Sequence, residues 1–150
     1  MIRPYTPTDK EQLLALLRLN TPTYFAEAEE NDFAEYLDKY REDYFVVEEK
    51  GEIIGAGGIN YFPKEGLARI SWDMIHPAHQ GKGIGKQLLQ HRLRVIMGKS
   101  GIHLVIVRTT QLVYAFYQKQ GFVLEKTEKD FWATGFDLYQ LRLPLPGHEV

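Results

Sequence analysis

Hydrophobic residues in the first third of the chain recur at the three-to-four-residue spacing of amphipathic helices. Four leucines between positions 13 and 17 form one apolar face, and the Thr-x-x-Glu pattern at Thr8–Glu11 before them is typical of a capping box. A second helix is predicted from about Glu27 to Tyr40. Its apolar face consists of Phe33, Tyr36, Leu37 and Tyr40. The pattern thus predicts two helices after a short first strand at Ile2–Tyr5.

The middle of the chain has the alternation and the turn residues of strands. Tyr44–Glu49 and Glu52–Phe62 predict a hairpin around Lys50-Gly51. Glycines at 55, 57 and 58 inside the second strand indicate a bulge or a close backbone approach. Leu67–Ile75 predicts a further strand, whose alternation holds if no bulge interrupts it.

A central helix is predicted from about Gly83 to Gly98, between two strands. Its inward face is expected to contain Ile84, Leu88, Leu89, Leu93, Ile96 and Met97. The next run, Ile102–Val107, lacks polar alternation, which is typical of a strand buried on both faces. A strand, a helix and a buried strand in this order indicate a right-handed βαβ unit with a parallel strand pair.

The last third predicts a short helix at Gln111–Gln120 and two strands at Phe122–Glu128 and Phe136–Leu143. The loop between these strands is expected to hold Asp130, Phe131 and Trp132, and residues 144–150 are expected to form a frayed tail. The predicted order of elements is β-α-α-β-β-β-α-β-α-β-β. One domain covering residues 1–150 is expected.

The composition excludes several classes of protein. The chain has 150 residues, 44% hydrophobic and 25% charged, which is ordinary for one soluble globular domain. A net charge of −2 indicates neither a nucleic-acid surface nor a polybasic membrane anchor. The lack of cysteine excludes a disulfide scaffold, a zinc–thiolate site and a cysteine nucleophile. The sequence shows no signal peptide or membrane-spanning run, so a cytoplasmic location is expected.

Three glycines, Gly81, Gly83 and Gly85, lie between the strand that ends at Ile75 and the central helix. Glycine lets backbone N–H groups approach a ligand, and a helix start adds unpaired N–H groups and the positive end of the helix dipole. This combination is typical of a phosphate site. A Walker loop is excluded because Gln follows Lys86, and no reading of the glycines completes a dinucleotide G-x-G-x-x-G.

The pattern Gln80-x-x-Gly83-x-Gly85, after Ile75-x-Pro77, resembles the acetyl-CoA signature of the GNAT N-acetyltransferase superfamily. The predicted order of elements also resembles that α/β (α+β) fold, a mixed seven-stranded sheet flanked by helices. The resemblance implies that acetyl-CoA is the cosubstrate and that its acetyl group moves to a primary amine by direct attack on the thioester.

The same resemblance implies a set of cofactor-binding residues. The pantetheine arm would pair with the backbone at the end of the strand, and the pyrophosphate would lie on the glycine turn. The set is Met74, Ile75, His76, Gln80, Gly81, Lys82, Gly83, Ile84, Gly85, Lys86, Thr110 and Tyr117.

A second signature of the family is similar to the segment that runs from Tyr117 to Gly121-Phe122. The resemblance implies that Tyr117 hydrogen-bonds the CoA sulfur and protonates the leaving thiolate, although packing is an alternative role for this ring. The family usually has an asparagine seven residues earlier. Here that position is Thr110, with Gln111 beside it, and the sequence leaves the choice between them open.

The acceptor amine arrives mostly as ammonium and must lose a proton to a base. Asp73 and His76 are the nearest titratable residues along the strand. Each also has a structural alternative, a salt-bridged strand residue for Asp73 and a turn residue before proline for His76. The sequence therefore predicts two candidate bases without choosing between them.

In the resembled family the first two helices often wall the acceptor pocket, which makes Tyr24 and Phe25 candidate acceptor-binding residues. Trp132 is a further candidate, because these aromatic side chains together suggest an aromatic-walled pocket. The second predicted helix is rich in acids, which form either a solvated face or a field that attracts a cationic amine. These acids are Glu27, Glu29, Glu30, Asp32 and Glu35.

The expected partner is a small-molecule or peptide amine. No metal site is predicted, since His76 and His79 lack a further ligand nearby. A homodimer is compatible with the resemblance, because the last strands of this family often pair between subunits. The alternative function is a non-catalytic acyl-CoA-binding regulatory module on the same fold.

Overall fold

A computed structural model describes residues 1–146 of the chain. The strands are β1 (Ile2–Pro4), β2 (Asp43–Glu49), β3 (Glu52–Phe62), β4 (Leu67–Ile75), β5 (Leu104–Thr109), β6 (Val123–Ala133) and β7 (Phe136–Pro144). The helices are α1 (Lys10–Leu19), α2 (Glu29–Glu35), α3 (Ile84–Met97) and α4 (Tyr114–Lys119). The predicted order of elements is confirmed. None of the helices in the described part of the chain is long and apolar enough to cross a bilayer.

The strands form one mixed sheet of seven in the order β1-β2-β3-β4-β5-β7-β6. β4 and β5 run parallel, with Leu67 opposite Leu104 and Ile70 opposite Val107. The pairs β1–β2, β2–β3, β5–β7 and β6–β7 are antiparallel. The predicted parallel pair around the central helix is therefore confirmed.

The chain divides into two compact units. The first unit combines Met1–Ile59 with Trp72–Leu93. Its core joins apolar side chains of α1, of α2 and of the turn that follows α2 with those of the strands of this unit. The buried core residues are Tyr5, Leu13, Leu14, Leu16, Leu17, Phe33, Tyr36, Leu37, Tyr44, Val46, Ile53, Ala56 and Met74.

The second unit combines Asn60–Ser71 with the described chain from Arg94 onward. Val105, Ile106 and Val107 are all buried, which confirms the strand without polar alternation. This strand starts and ends two residues later than predicted, at Leu104 and Thr109. The helix that follows also starts later, at Tyr114 rather than Gln111.

The capping arrangement lies earlier than predicted, and the predicted box at Thr8–Glu11 is wrong. The Asp9 carboxylate accepts a hydrogen bond from the Thr6 backbone N–H at 2.8 Å. Both terminal nitrogens of Arg3 also donate to this carboxylate, at 2.9 Å each. Asp9 is buried and paired whereas Thr8 is exposed, so Asp9 organises the turn before α1.

Two residues predicted to face the core are exposed. Tyr40 is 59% exposed because a π-helical turn, Tyr36–Tyr40, follows α2 and its wider spacing moves Tyr40 off the face of Phe33 and Leu37. Met97 is 52% exposed because it is the last residue of α3. The second helix also begins at Glu29, two residues later than predicted.

The C-terminal hairpin is longer than predicted. β6 continues to Ala133, so Asp130, Phe131 and Trp132 belong to a strand rather than to a loop. The Asp130 carboxylate accepts from the Gly135 N–H at 2.7 Å, which ties the end of the hairpin.

The tail is not frayed at Leu145. This residue is buried, and its N–H donates to the His103 carbonyl at 2.9 Å. The rest of the predicted tail beyond residue 146 lies outside the described residues.

Candidate active site

The glycine turn joins β4 to α3 in the first unit. After Ile75 the chain makes a short 3-10 turn at Pro77–His79 and then passes through Gly81 and Gly83, whose φ angles are +79° and +82°. These left-handed angles favour glycine. A Cβ built on either glycine would meet no heavy atom within 4 Å. The turn therefore presents backbone to open space.

The first turn of α3 completes this surface. Ile84 is buried and anchors the helix start, while Lys82 and Lys86 are exposed beside the glycines. The unpaired N–H groups of a helix start, the dipole of a 14-residue helix and two lysines all favour an anion. The residues present suit a pyrophosphate, as the sequence predicted.

His76 lies at the start of this turn, with both ring nitrogens engaged. Its Nδ1 accepts a hydrogen bond from the Ala78 N–H at 3.0 Å, and its Nε2 is 3.8 Å from a Glu52 carboxylate oxygen. An Nδ1 that accepts leaves the proton of the neutral ring on Nε2. In this arrangement His76 can take a proton only after the bond to Ala78 opens, and its role as base stays a prediction.

Asp73, the other candidate base, pairs with a buried cation. Arg92 on α3 is 0% exposed, and its Nη1 lies 2.5 Å from Asp73 Oδ1. The same nitrogen donates to the Gly58 carbonyl at 3.1 Å. The Arg92 guanidinium therefore occupies an oxygen of the Asp73 carboxylate. The geometry favours a positioning role for Asp73, and its role as base also stays a prediction.

Arg92 is not among the site residues that the sequence predicts. It lies four residues after Leu88 and four before Ile96, on the apolar stripe of α3 where a charged residue is unusual. That position was the available signal, together with an acidic residue on the neighbouring strand. Because Asp73 and Arg92 are far apart in the sequence, the pattern did not indicate that they would pair.

The segment between α1 and α2 brings two predicted acceptor residues toward β4 and the glycine turn. Phe25 stacks on Trp72 with ring centroids 6.1 Å apart and planes inclined by 17°. The Tyr24 hydroxyl lies 3.5 Å from the Gln80 side-chain oxygen. Tyr24 and Phe25 therefore lie in the first unit beside residues of the predicted site.

Trp72 has an unusual backbone conformation within β4. Its φ angle is +49°, a left-handed conformation that is uncommon for a bulky residue. Its carbonyl accepts a hydrogen bond from the Tyr44 hydroxyl at 2.8 Å, and its ring packs on Phe33 with centroids 5.0 Å apart. These contacts hold the backbone just before Asp73 and Met74.

The acidic residues of the second helix have separate environments. Glu30 makes two 2.8 Å hydrogen bonds to Arg18. Glu29 accepts from the Ala26 N–H at 2.8 Å, and burial raises the pKa of its carboxyl. A carboxyl with a raised pKa can exchange protons nearer neutral pH. Glu29 is thus a titratable candidate that the sequence grouped with surface acids.

The second unit holds the remaining predicted residues. Tyr117 on α4 is 3% exposed, and its ring contacts those of Phe116 and Phe122. Trp132 donates from its indole nitrogen to the Thr109 carbonyl at 3.1 Å.

Thr110 and Gln111 differ clearly in what their side chains contact. The Gln111 amide donates to the Gly135 carbonyl at 2.8 Å and accepts from the Asp137 N–H at 2.9 Å. Both ends of Gln111 therefore hold the C-terminal hairpin. The Thr110 side chain is buried, and among the described residues its hydroxyl accepts a local bond from the Leu112 N–H at 3.2 Å. Which of the two contacts the cofactor stays a prediction.

A family model described as "Acetyltransferase (GNAT) family" matches residues 11–122, most of the chain. The chain belongs to the GNAT acetyltransferase family. This membership confirms the resemblance seen in the sequence. Within residues 1–146 no group of three His, Asp or Glu side chains is placed to hold a metal ion.

Two curated relatives differ in how much of them this GNAT chain covers. An N-alpha-acetyltransferase from Sulfurisphaera tokodaii is 26% identical over 170 residues, covering 96% of this chain and 92% of that protein. An amino-acid acetyltransferase from Actinobacillus pleuropneumoniae serotype 5b is 27% identical over 96 residues, covering 63% of this chain. The chain spans only 21% of the latter protein and 30% of a further relative from Prochlorococcus marinus.

Solved structures share the fold at low identity. A GNAT-family acetyltransferase from Desulfovibrio desulfuricans superimposes with a TM-score of 0.83 at 21% identity, covering 96% of this chain and 98% of that one. The acetyltransferase yncA from Salmonella typhimurium, solved with its cofactor acetyl-CoA, gives a TM-score of 0.73 at 20% identity, covering 100% and 96%.

Proposed function

We propose that this chain binds acetyl-CoA at the glycine turn and transfers the acetyl group to a primary amine by direct attack on the thioester. The observation that carries the proposal is the open space around the Cβ positions of Gly81 and Gly83. The left-handed φ angles already favour glycine at both positions, so it is the place of this open backbone, at the start of α3 beside Lys82 and Lys86, that suits a pyrophosphate. Membership of the family and the related structure solved with acetyl-CoA support the choice of cosubstrate.

In the proposed reaction the amine nitrogen forms a bond to the thioester carbonyl carbon, and charge develops on the carbonyl oxygen. A backbone N–H near Ile75 stabilises that oxygen. The carbon–sulfur bond then breaks, its electron pair stays on sulfur, and the Tyr117 hydroxyl gives the thiolate a proton. The amine loses its surplus proton to a base before the attack. The nitrogen loses a second proton as the amide forms, and this proton restores the Tyr117 hydroxyl by way of solvent.

For the base we favour His76 over Asp73. The hydrogen bond to His76 Nδ1 comes from a single backbone N–H within the turn Pro77–His79. A water molecule can replace His76 as the partner of that N–H, which frees Nδ1. Asp73 instead balances the buried charge of Arg92. Loss of the acidic arm of the pH–rate profile in His76→Gln, and its retention in Asp73→Asn, would support this order.

The finer parts of the proposal rest on the same family membership. We propose that the chain acts as a single catalytic domain in the cytoplasm and that its acceptor is a small molecule or a peptide with a primary amine. The two relatives are named as an N-alpha-acetyltransferase and an amino-acid acetyltransferase. Both names support an acceptor of this kind.

The test combines calorimetric titration of acetyl-CoA with a thiol-release assay over a panel of amines. We expect binding and release, and a kcat about 100-fold lower in Tyr117→Phe because the leaving thiolate loses its acid. Tyr114→Phe is the matched control, since Tyr114 lies on the same helix and packs against Tyr139.

Two results would contradict the proposal. Absence of acetyl-CoA binding would show that the glycine turn has another ligand. Binding without thiol release from any amine would instead favour a non-catalytic acyl-CoA-binding module.

A further inference from the structure

One face of the sheet in the second unit carries arginines. Residues paired across strands share a face, and so do residues two apart on one strand. Arg69 on β4 and Arg142 on β7 both lie opposite Ile106 of β5, and Arg108 is two residues further along β5. The opposite face is apolar and buried, with Ala68 and Val105 at 0% exposure. The three arginines therefore lie on the same face of the sheet.

These arginines differ in their partners. The Arg142 Nε lies 3.9 Å from the Glu125 carboxylate. Neither Arg69 nor Arg108 forms a salt bridge with any of residues 1–146. They contact aromatic rings instead: the Arg69 guanidinium lies 4.8 Å from the centroid of Phe62. Both cations thus lie beside rings and form no salt bridge, and the Glu65 carboxylate acts on Arg69 only through its charge, which raises the Arg69 pKa.

The two cations also act on each other. Burial lowers the pKa of Arg69, and the positive charge of Arg108 lowers it further. The Arg69 Nε is buried and has no hydrogen-bond partner among the described residues. An unpaired donor and two neighbouring like charges are unfavourable in the unliganded protein, and an anion between them would remove both costs.

Arg108 is held in place before any ligand binds. Its guanidinium lies 4.9 Å from the Phe131 centroid and 5.7 Å from that of Trp132. Trp132 is fixed by its bond to the Thr109 carbonyl, and Gln111 ties the same hairpin at Gly135. Side-chain entropy is therefore already lost, which favours binding by a rigid guanidinium.

We propose that Arg69 and Arg108 bind a carboxylate of the acceptor, so that the substrate is an amine that also carries a carboxylate. The planar forks of arginine match the two oxygens of a carboxylate. Arg108 precedes Thr110 by two residues at the carboxyl end of β5, where ligands of α/β sheets bind. This inference rests on the proposed acetyltransferase function.

The kinetic test offers acceptors in pairs that differ only in a free carboxylate or a carboxamide: L-alanine with L-alaninamide, L-glutamate with L-isoglutamine, and a tripeptide with its C-terminal amide. We expect the wild type to prefer the carboxylate form by about 10- to 100-fold in kcat/KM, mainly through KM. Arg108→Gln should abolish that preference, and Arg108→Lys should restore it only in part. Arg142→Gln removes one charge from the same face and should leave the preference intact.

A binding test is independent of turnover. Succinate, which has two carboxylates and no amine, is titrated into the wild type in the absence of acetyl-CoA. The indole N–H signal of Trp132, assigned with Trp132→Phe, should shift in the millimolar range while that of Trp72 does not. Arg108→Gln should lose the shift and Arg142→Gln should keep it.

The two tests separate failure of this inference from failure of the proposed function. A succinate shift without any acetyl transfer would keep the carboxylate site and reject the enzyme. Equal rates for the carboxylate and carboxamide forms, or a preference that survives in Arg108→Gln, would overturn the site. A lower sedimentation coefficient in Arg108→Gln with unchanged acceptor preference would overturn it in favour of a contact between two copies of the chain.

Discussion

The first unit contains two groups of glycines that look alike in the sequence and differ in what surrounds them. A Cβ built at Gly57 would lie 2.7 Å from the Arg92 Nη1 and overlap the Asp73 carboxylate, and one at Gly58 would crowd the Tyr44 ring. A Cβ at Gly81 or Gly83 would meet open space. The β3 glycines are needed for packing, whereas the glycines of the turn are needed for left-handed backbone and leave open space for the proposed ligand.

The β3 glycines therefore affect the packing beneath the candidate site, whereas the glycines of the turn belong to its proposed binding surface. At Gly57 the missing side chain makes room for the buried pair of Arg92 and Asp73, which joins α3 to β4. At Gly81 the missing side chain makes room for something outside the chain. Substitutions in the two groups should therefore change different measurements, one the stability and the other the affinity for acetyl-CoA.

The largest effect is expected for Asp73→Asn. It removes the Asp73 carboxylate from its ion pair with the buried guanidinium of Arg92, which should lower the free energy of unfolding by about 3–5 kcal/mol in urea titration. Asp38→Asn is the matched control, since Asp38 pairs with Lys10 at the surface, and it should cost only a small fraction of that. Equal effects of the two substitutions would mean that the buried pair does not support the site.

Gly57→Ala should come next. Its methyl group would force apart Arg92 and Asp73, and overpacking of this kind costs about 1–3 kcal/mol. In urea titrations the transition should move to lower concentration, while the folded variant should keep most of its affinity for acetyl-CoA. A variant as stable as the wild type would contradict the packing role assigned to this glycine.

The smallest effect on stability, with the clearest effect on binding, is expected for Gly81→Ala. A left-handed alanine should cost about 1 kcal/mol, and its methyl group should lower acetyl-CoA affinity about 10-fold or more by calorimetry. Gly51→Ala is the control: Gly51 has the same φ of +79° and an equally open Cβ position, in the hairpin between β2 and β3. Gly51→Ala should lower the free energy of unfolding by the same amount and leave the affinity for acetyl-CoA unchanged. An equal loss of acetyl-CoA affinity in both variants would contradict a specific role of Gly81 in binding.

The elements that form the glycine turn were predictable because their signals are local. Left-handed glycines, a helix start and an apolar stripe each depend on a few adjacent residues, and β4 and the first turn of α3 lie where the sequence places them. The position of Tyr117 on a short helix followed from the same kind of local pattern.

The partners of the candidate residues were not predictable, since they come from distant parts of the chain. Asp73 meets Arg92 across 19 positions of sequence, and Gln111 meets the hairpin at Gly135 across 24. Local periodicity carries no information on which charged or amide groups will meet after folding. It also misplaced Tyr40, because a π-helical turn shifts the face of the helix by one residue.

By itself the sequence determined the order of elements, the family and the glycine turn, because hydrophobic period, turn chemistry and a short signature act over neighbouring residues. The tertiary structure alone decided that Asp73 balances a buried arginine, that His76 Nδ1 is occupied, and that Arg69 and Arg108 share a face and form no salt bridge with the described residues. Those facts depend on burial and on contacts between separate strands and helices, and both arise only when the chain has folded.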